Sequence, residues 1–157
     1  MVLAKSCRTV GDSPEVLLTW LSAMRPVALP TREQGLFAGV SLTRRIGHES
    51  SLDLPERIVA ALRWSVRAKD LGSRDGGHKA LLIPLFDGGF SILIDPEPPN
   101  EANAPDRLNW WQWRVAHELA HSIFYRPGTP PKRAVSYVRE EEEFCDGFAA
   151  GVLKTFV

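Results

Sequence analysis

The stretch "RVAHELAH", residues 114–121, sets two histidines four apart and a glutamate directly after the first. On an α-helix, positions i and i+4 share one face, a turn apart. His117 and His121 can therefore aim imidazole nitrogens at a single point, and zinc accepts such nitrogens at roughly 2.0–2.1 Å. Glu118 is rotated about 100° around the helix from His117, so it reaches past the ligands toward a bound water. Two ligands and a general base are the physical content of H-E-x-x-H. Chance is a poor explanation, since random order of this composition yields roughly 0.007 matches to the motif.

The local pattern supports a helix. Leu108, Trp111, Val115, Leu119 and Ser122/Ile123 trace one face at helical spacing over residues 106–125. Core packing is the first reading of the three neighbouring tryptophans, Trp111 above all, while Trp110 and Trp113 flank different sides of the helix and at least one of them is a candidate partner surface.

A catalytic zinc usually keeps three protein ligands and one open position. The metzincin extension needs glycine at 124 and histidine at 127, and the chain has Phe124 and Pro127. That class is excluded. His48 and His78 lie well upstream, and both read as surface residues, His78 in a glycine-rich loop.

The carboxylates Glu140, Glu141, Glu142 and Glu143 sit on a final helix expected over residues 136–154. They point in four directions, so one is expected to face the site. Cys145, Ala149 and Val152/Leu153 lie near the face that carries Glu142, which selects Glu142, with Glu141 and Glu143 left open. Asp146 lies one turn beyond Glu142 and can accept a hydrogen bond from a ligand histidine's other nitrogen. Cys145 reads as a small buried residue, with a mixed thiolate site left open. Tyr137, just before this helix, is the candidate oxyanion partner, against an ordinary packing role.

The rest of the chain gives an α+β order. "DSPEVLLTWLSAM" reads as a short helix capped by Ser13, with Pro14 in the first turn. Residues 25–50 carry Pro26, Pro30, Gly35, Gly39 and Gly47, and are expected to form loops with a short strand. "DLPERIVAALRWSVRAKDLG" reads as one helix with Asp53 and Glu56 at capping-box spacing, ended by Gly72. "ALLIPLFDGGFSILIDPE" reads as a hairpin turning at Asp87-Gly88, with Pro84 placing its first strand at a sheet edge or interrupting it. "DPEPPNEANAPD" is a connecting loop, and "RPGTPPKR" breaks the chain before the last helix. The expectation is a single domain over 1–157, with a core at 53–157 and an unassigned segment at 1–50.

Composition narrows the function classes. The 157 residues are 44% hydrophobic and 24% charged, as expected of a globular chain able to bury a core. Nineteen basic residues balance nineteen acidic ones, so no strong electrostatic grip on nucleic acid or an anionic membrane is expected. The pairs Arg44-Arg45 and Lys132-Arg133 read as solvated surface. The first residues, "MVLAKSCRTVGDS", lack the apolar stretch of a secretory signal, no run reaches the length of a membrane span, and Cys7 and Cys145 form no disulfide framework. A cytoplasmic location is the expectation.

"AHELAH", a proline-rich gap and then "ExFCDGFAAGVL" together resemble the ImmA/IrrE family of zinc metallopeptidases. The matching positions are Ala116 to His121, then Glu142, Cys145, Asp146, Phe148, Ala149 and Ala150. The likeness covers about residues 80–153 and is weak upstream. "QWRV" departs from the family's Arg-Phe-Thr-Leu, and Ala120 stands where glycine often precedes the second histidine.

The resemblance implies a small zincin-like domain, with a hairpin packed on the motif helix and a ligand-bearing C-terminal helix. It also implies a Zn²⁺-dependent endopeptidase acting on a protein partner, such as a transcriptional repressor cut at a defined loop. Two other readings remain: a metal-binding interaction module in a regulatory or toxin–antitoxin setting, and a structural zinc site closed by a fourth ligand. An intact Glu118 speaks against a degenerate site, since a scaffold needs no general base.

Overall fold

A computed structural model describes residues 11–46, 53–72, 79–97, 107–135 and 137–153, with the side chains of 107–109 outside that description. Helix α1 (Pro14–Ala23) forms as the sequence suggests, with the Ser13 hydroxyl accepting from the Val16 N–H at 3.3 Å. Its buried face carries Leu17 and Leu21.

Residues 25–50 correct the sequence reading. No strand occurs among the described residues there; instead Arg32–Ile46 forms the 15-residue helix α2. Thr31 and Gln34 cap it reciprocally. The Gln34 N–H donates to Thr31 Oγ1 at 3.2 Å, and the Thr31 N–H donates to Gln34 Oε1 at 3.0 Å.

The glycines that looked like breakers face α5 (Val138–Leu153), which carries glycines at the same four-residue spacing. A methyl at Gly35 or Gly39 would overlap the carbonyl of Phe144 or Phe148. One at Gly147 or Gly151 would overlap that of Arg32 or Leu36. The two backbones lie together along this stripe, which forms the most extensive helix–helix contact of the fold.

Helix α3 (Leu54–Ala61) is shorter than expected. It ends where Arg63 takes φ 63° and the Trp64 N–H bonds back to Val59. The chain then runs into strand β1 (Ser65–Ala68) rather than onward as a helix. The spacing of Ile58, Leu62 and Val66 also suits a longer helix, but Val66 stands opposite Ile92 in the sheet. Asp53 makes no side-chain cap. Glu56 instead accepts from Trp111 Nε1 at 2.6 Å and Gln112 Nε2 at 2.8 Å, which ties α3 to the motif helix. Gly72, at φ 71°, closes a turn beyond β1 and does not end a helix.

The hairpin forms as expected. Strands β2 (Ala80–Pro84) and β3 (Phe90–Ile94) pair antiparallel, from Ala80 opposite Ile94 to Pro84 opposite Phe90. Gly88 and Gly89 supply the positive φ of the turn. Strand β1 pairs parallel to β3, so the order is β1-β3-β2. The central strand β3 is buried throughout, and Pro84 sits on the edge strand, where a missing N–H is tolerated.

Helix α4 (Arg107–His121) lies against β2, β3, α3 and α5. It tightens into a 3₁₀ turn at Ser122–Phe124, so the expected helix of residues 106–125 ends earlier. Strands β4 (Tyr125–Arg126) and β5 (Lys132–Arg133) then form a two-residue ladder before α5. The core joins Leu17, Ile58, Ile92, Leu119, Phe144 and Phe148, all fully buried. The result is an α+β fold, and the segment before residue 50 contributes two of its helices. No helix of the described residues is long and apolar enough to cross a membrane.

The glycine stripe is testable. Gly147→Ala gains about 1 kcal/mol of helix propensity, but its methyl meets backbone rather than a movable side chain. It is expected to lower stability by about 2 kcal/mol or more in urea unfolding, against less than about 0.5 for Gly11→Ala, whose methyl meets nothing. A Gly147→Ala chain as stable as wild type would refute the close approach.

Candidate metal centre

His117 and His121 project from the last turns of α4, with ring centroids 5.0 Å apart. Their Nε2 atoms lie 3.2 Å from each other. Glu142, from α5, spans the pair. Its Oε2 is 2.9 Å from His117 Nε2, and its Oε1 is 3.1 Å from His121 Nε2. Two imidazoles and one carboxylate therefore converge, and the residue selected by periodicity is the one that meets both histidines.

The other ring nitrogens are also engaged. His117 Nδ1 lies 2.9 Å from Asp146 Oδ1, and His121 Nδ1 lies 2.8 Å from Glu141 Oε1. A carboxylate only accepts, so an Nδ1–H donates to each of these two, and a metal at the point of convergence would take the place of the protons that the Nε2 atoms share with Glu142. Asp146 stands where the sequence reading put it. Glu141 does not join Glu142 on the Nε2 side but orients His121 from behind.

Burial and charge fit a cation. The imidazoles hold Glu142 well below the usual carboxylate range. For His121, burial alone would lower the pKa, but hydrogen bonding with Cys145, Glu141 and Glu142 outweighs it and raises the group well above an ordinary imidazole. Glu141 is likewise depressed, as Arg133 and His121 overcome the cost of its burial. The site thus holds protons between its donors, and a divalent cation would displace them. The spacing fits as well, because bonds of roughly 2.0–2.1 Å place tetrahedral donors about 3.3 Å apart.

His117, His121 and Cys145 offer ligand atoms within 4.8 Å of one another, close enough to hold a metal ion. Cys145 is fully buried, and burial pushes its thiol up to about 12. Cys145 is closed off from solvent beside the histidines, whereas the Glu142 side chain is 54% exposed and lines the open cleft.

Glu118 is 7% exposed and lines a cleft of about 400 Å³ together with His117, Glu142 and Asp146. Ala80 of β2 lines the same cleft. Trp110 and Trp113 do too, whereas Trp111 turns to Glu56. Tyr137 is not among the lining residues; its carbonyl accepts the Glu141 N–H at the start of α5. His48 and His78 fall outside the described residues. Arg133, read from sequence as solvated surface, instead pairs with Glu141.

No family model, curated protein sequence or solved structure matches the chain.

The assignment of Glu142 has a direct check. Glu142→Ala is expected to weaken zinc binding by at least tenfold in a chelator competition, while Glu140→Ala and Glu143→Ala leave it within about twofold. Equal effects of the three substitutions would remove Glu142 from the donor set.

Proposed function

We propose that the chain is a zinc-dependent endopeptidase on a zincin-like domain, cutting a peptide bond in a specific protein partner. The observation that carries this reading is the meeting of the H-E-x-x-H histidines with Glu142 at a cleft that Glu118 also lines. His117, His121 and Glu142 are the donors, and three such donors leave one position of a tetrahedral ion open. A bound zinc would supply Lewis-acid activation of the scissile carbonyl and of water.

The chain's own residues do the rest. Glu118 takes the proton from the attacking water and passes it to the leaving amine. Asp146 and Glu141 hold the imidazoles in the ligand tautomer. Strand β2 has a partner on one side only among the described residues, and its Ala80 reaches the cleft. An extended substrate can add to that edge and present its backbone beside Glu118. The resemblance to ImmA/IrrE peptidases supports a DNA-binding repressor as the partner.

One observation favours a second reading. The sulfur of Cys145 lies near both histidines, which suits a closed site on a metal-bearing interaction module of a regulatory or toxin–antitoxin system. Such a module would bind its partner without cutting it.

Zinc content and cleavage of the proteins encoded beside this chain separate the two. Glu118→Gln is expected to keep its zinc and lose at least about 10²-fold in turnover, while His121→Ala loses both. Zinc-loaded wild type that binds such a partner and leaves it intact supports the module. Cleavage by Glu118→Gln at the wild-type rate would overturn the peptidase mechanism.

A further inference from the structure

Arg133 lies on β5, opposite Tyr125 in the short ladder, with its guanidinium 5.0 Å over the Tyr125 ring. Its Nη1 donates to Glu141 Oε1 at 2.8 Å, and its Nη2 donates to Glu141 Oε2. Both carboxylate oxygens are thus held by one planar fork, a geometry that lysine's point charge does not reproduce. Glu141 is 3% exposed, and the same Oε1 receives His121 Nδ1. The carboxylate has no freedom to rotate away from the imidazole while the fork is in place. Asp146, which meets His117, is 42% exposed. Of the two histidines, His121 is therefore the one whose orientation is fixed from the interior.

We propose that Arg133 is a positioning residue for the metal centre. It fixes the plane of the Glu141 carboxylate and, through it, the tautomer and ring plane of His121. The proposal rests on His117, His121 and Glu142 being the metal donors. A segment that looks like a proline-broken connector is then part of the site, because the β4–β5 ladder delivers the guanidinium. Tyr125 supports it from the facing strand by stacking.

The test is a double-mutant cycle read as zinc affinity on the full chain. Arg133→Met and Glu141→Gln are each expected to weaken zinc binding about 10–100-fold. The Arg133→Met/Glu141→Gln double variant is expected to bind no more weakly than Glu141→Gln alone, since Arg133 acts only through that carboxylate. It also removes the buried charge that Arg133→Met leaves with His121 as its remaining partner among the contacts described, so the cycle keeps a foldable corner. Lys132→Met, one residue away, is expected to bind like wild type.

Additive losses, or an Arg133→Met chain with wild-type affinity, overturn the proposal. A second readout does not need metal. In the metal-free protein, the ¹⁵N-resolved His121 Nδ1 proton is expected to show a strong hydrogen bond that Arg133→Met weakens. An unchanged resonance also overturns the role. Wild type that binds no zinc defeats the donor set itself, while the Nδ1 resonance still decides whether Arg133 governs His121.

Discussion

The site depends on how α5 packs between two other helices. Its candidate donors come from α4 and α5 alone, so the distance between those helices sets how Glu142 meets the two histidines. On one side, Phe144 meets Phe124 edge-on at 5.1 Å and is fully buried beside Cys145 and Phe148. On the other, the glycines of α5 and α2 bring two backbones together with no side chain between them. Core packing is dense and resists small shifts, so a helix gripped on both faces has little room to slide. Glu142 is exposed to solvent, yet it arrives at the histidines because its helix has no other place to sit.

Electrostatics then sorts the acidic run. Four consecutive glutamates on one helix repel each other in isolation, and three of them find cations or imidazoles here. Glu141 is buried against Arg133 and His121, and Glu142 bridges both histidines. Glu143 stays at the surface, within 3.8 Å of Arg139 one turn earlier. An exposed pair of this kind contributes little to stability. Neighbouring residues of identical type thus take three different parts, decided by a rotation of about 100° per position.

Much of the site was legible because helical geometry is local. The i, i+4 spacing fixed the face of His117 and His121, and periodicity chose Glu142 and Asp146 without knowledge of the fold. The hairpin was legible from Asp87-Gly88 and the apolar runs around it. Helix α2 was misread because Gly35 and Gly39 act as breakers in an isolated chain and as contact points against another backbone. The Thr31–Gln34 capping box was a local signal that pointed to the helix.

Strand β1 was hidden inside a pattern that also fitted a helix, and only its pairing with β3 distinguishes the two. The role of Arg133 had no sequence signal at all. It depends on a ladder that returns the chain to the start of α5, a tertiary fact that no window around residue 133 contains.

The most direct measurement of the donor set is zinc K-edge X-ray absorption on the zinc-loaded protein. The expected first shell holds only nitrogen and oxygen at roughly 2.0–2.1 Å, with the scattering signature of two imidazoles. A sulfur shell at roughly 2.3 Å would place Cys145 on the metal and close the position that catalysis needs. A protein that retains no zinc after loading would contradict the metal centre altogether.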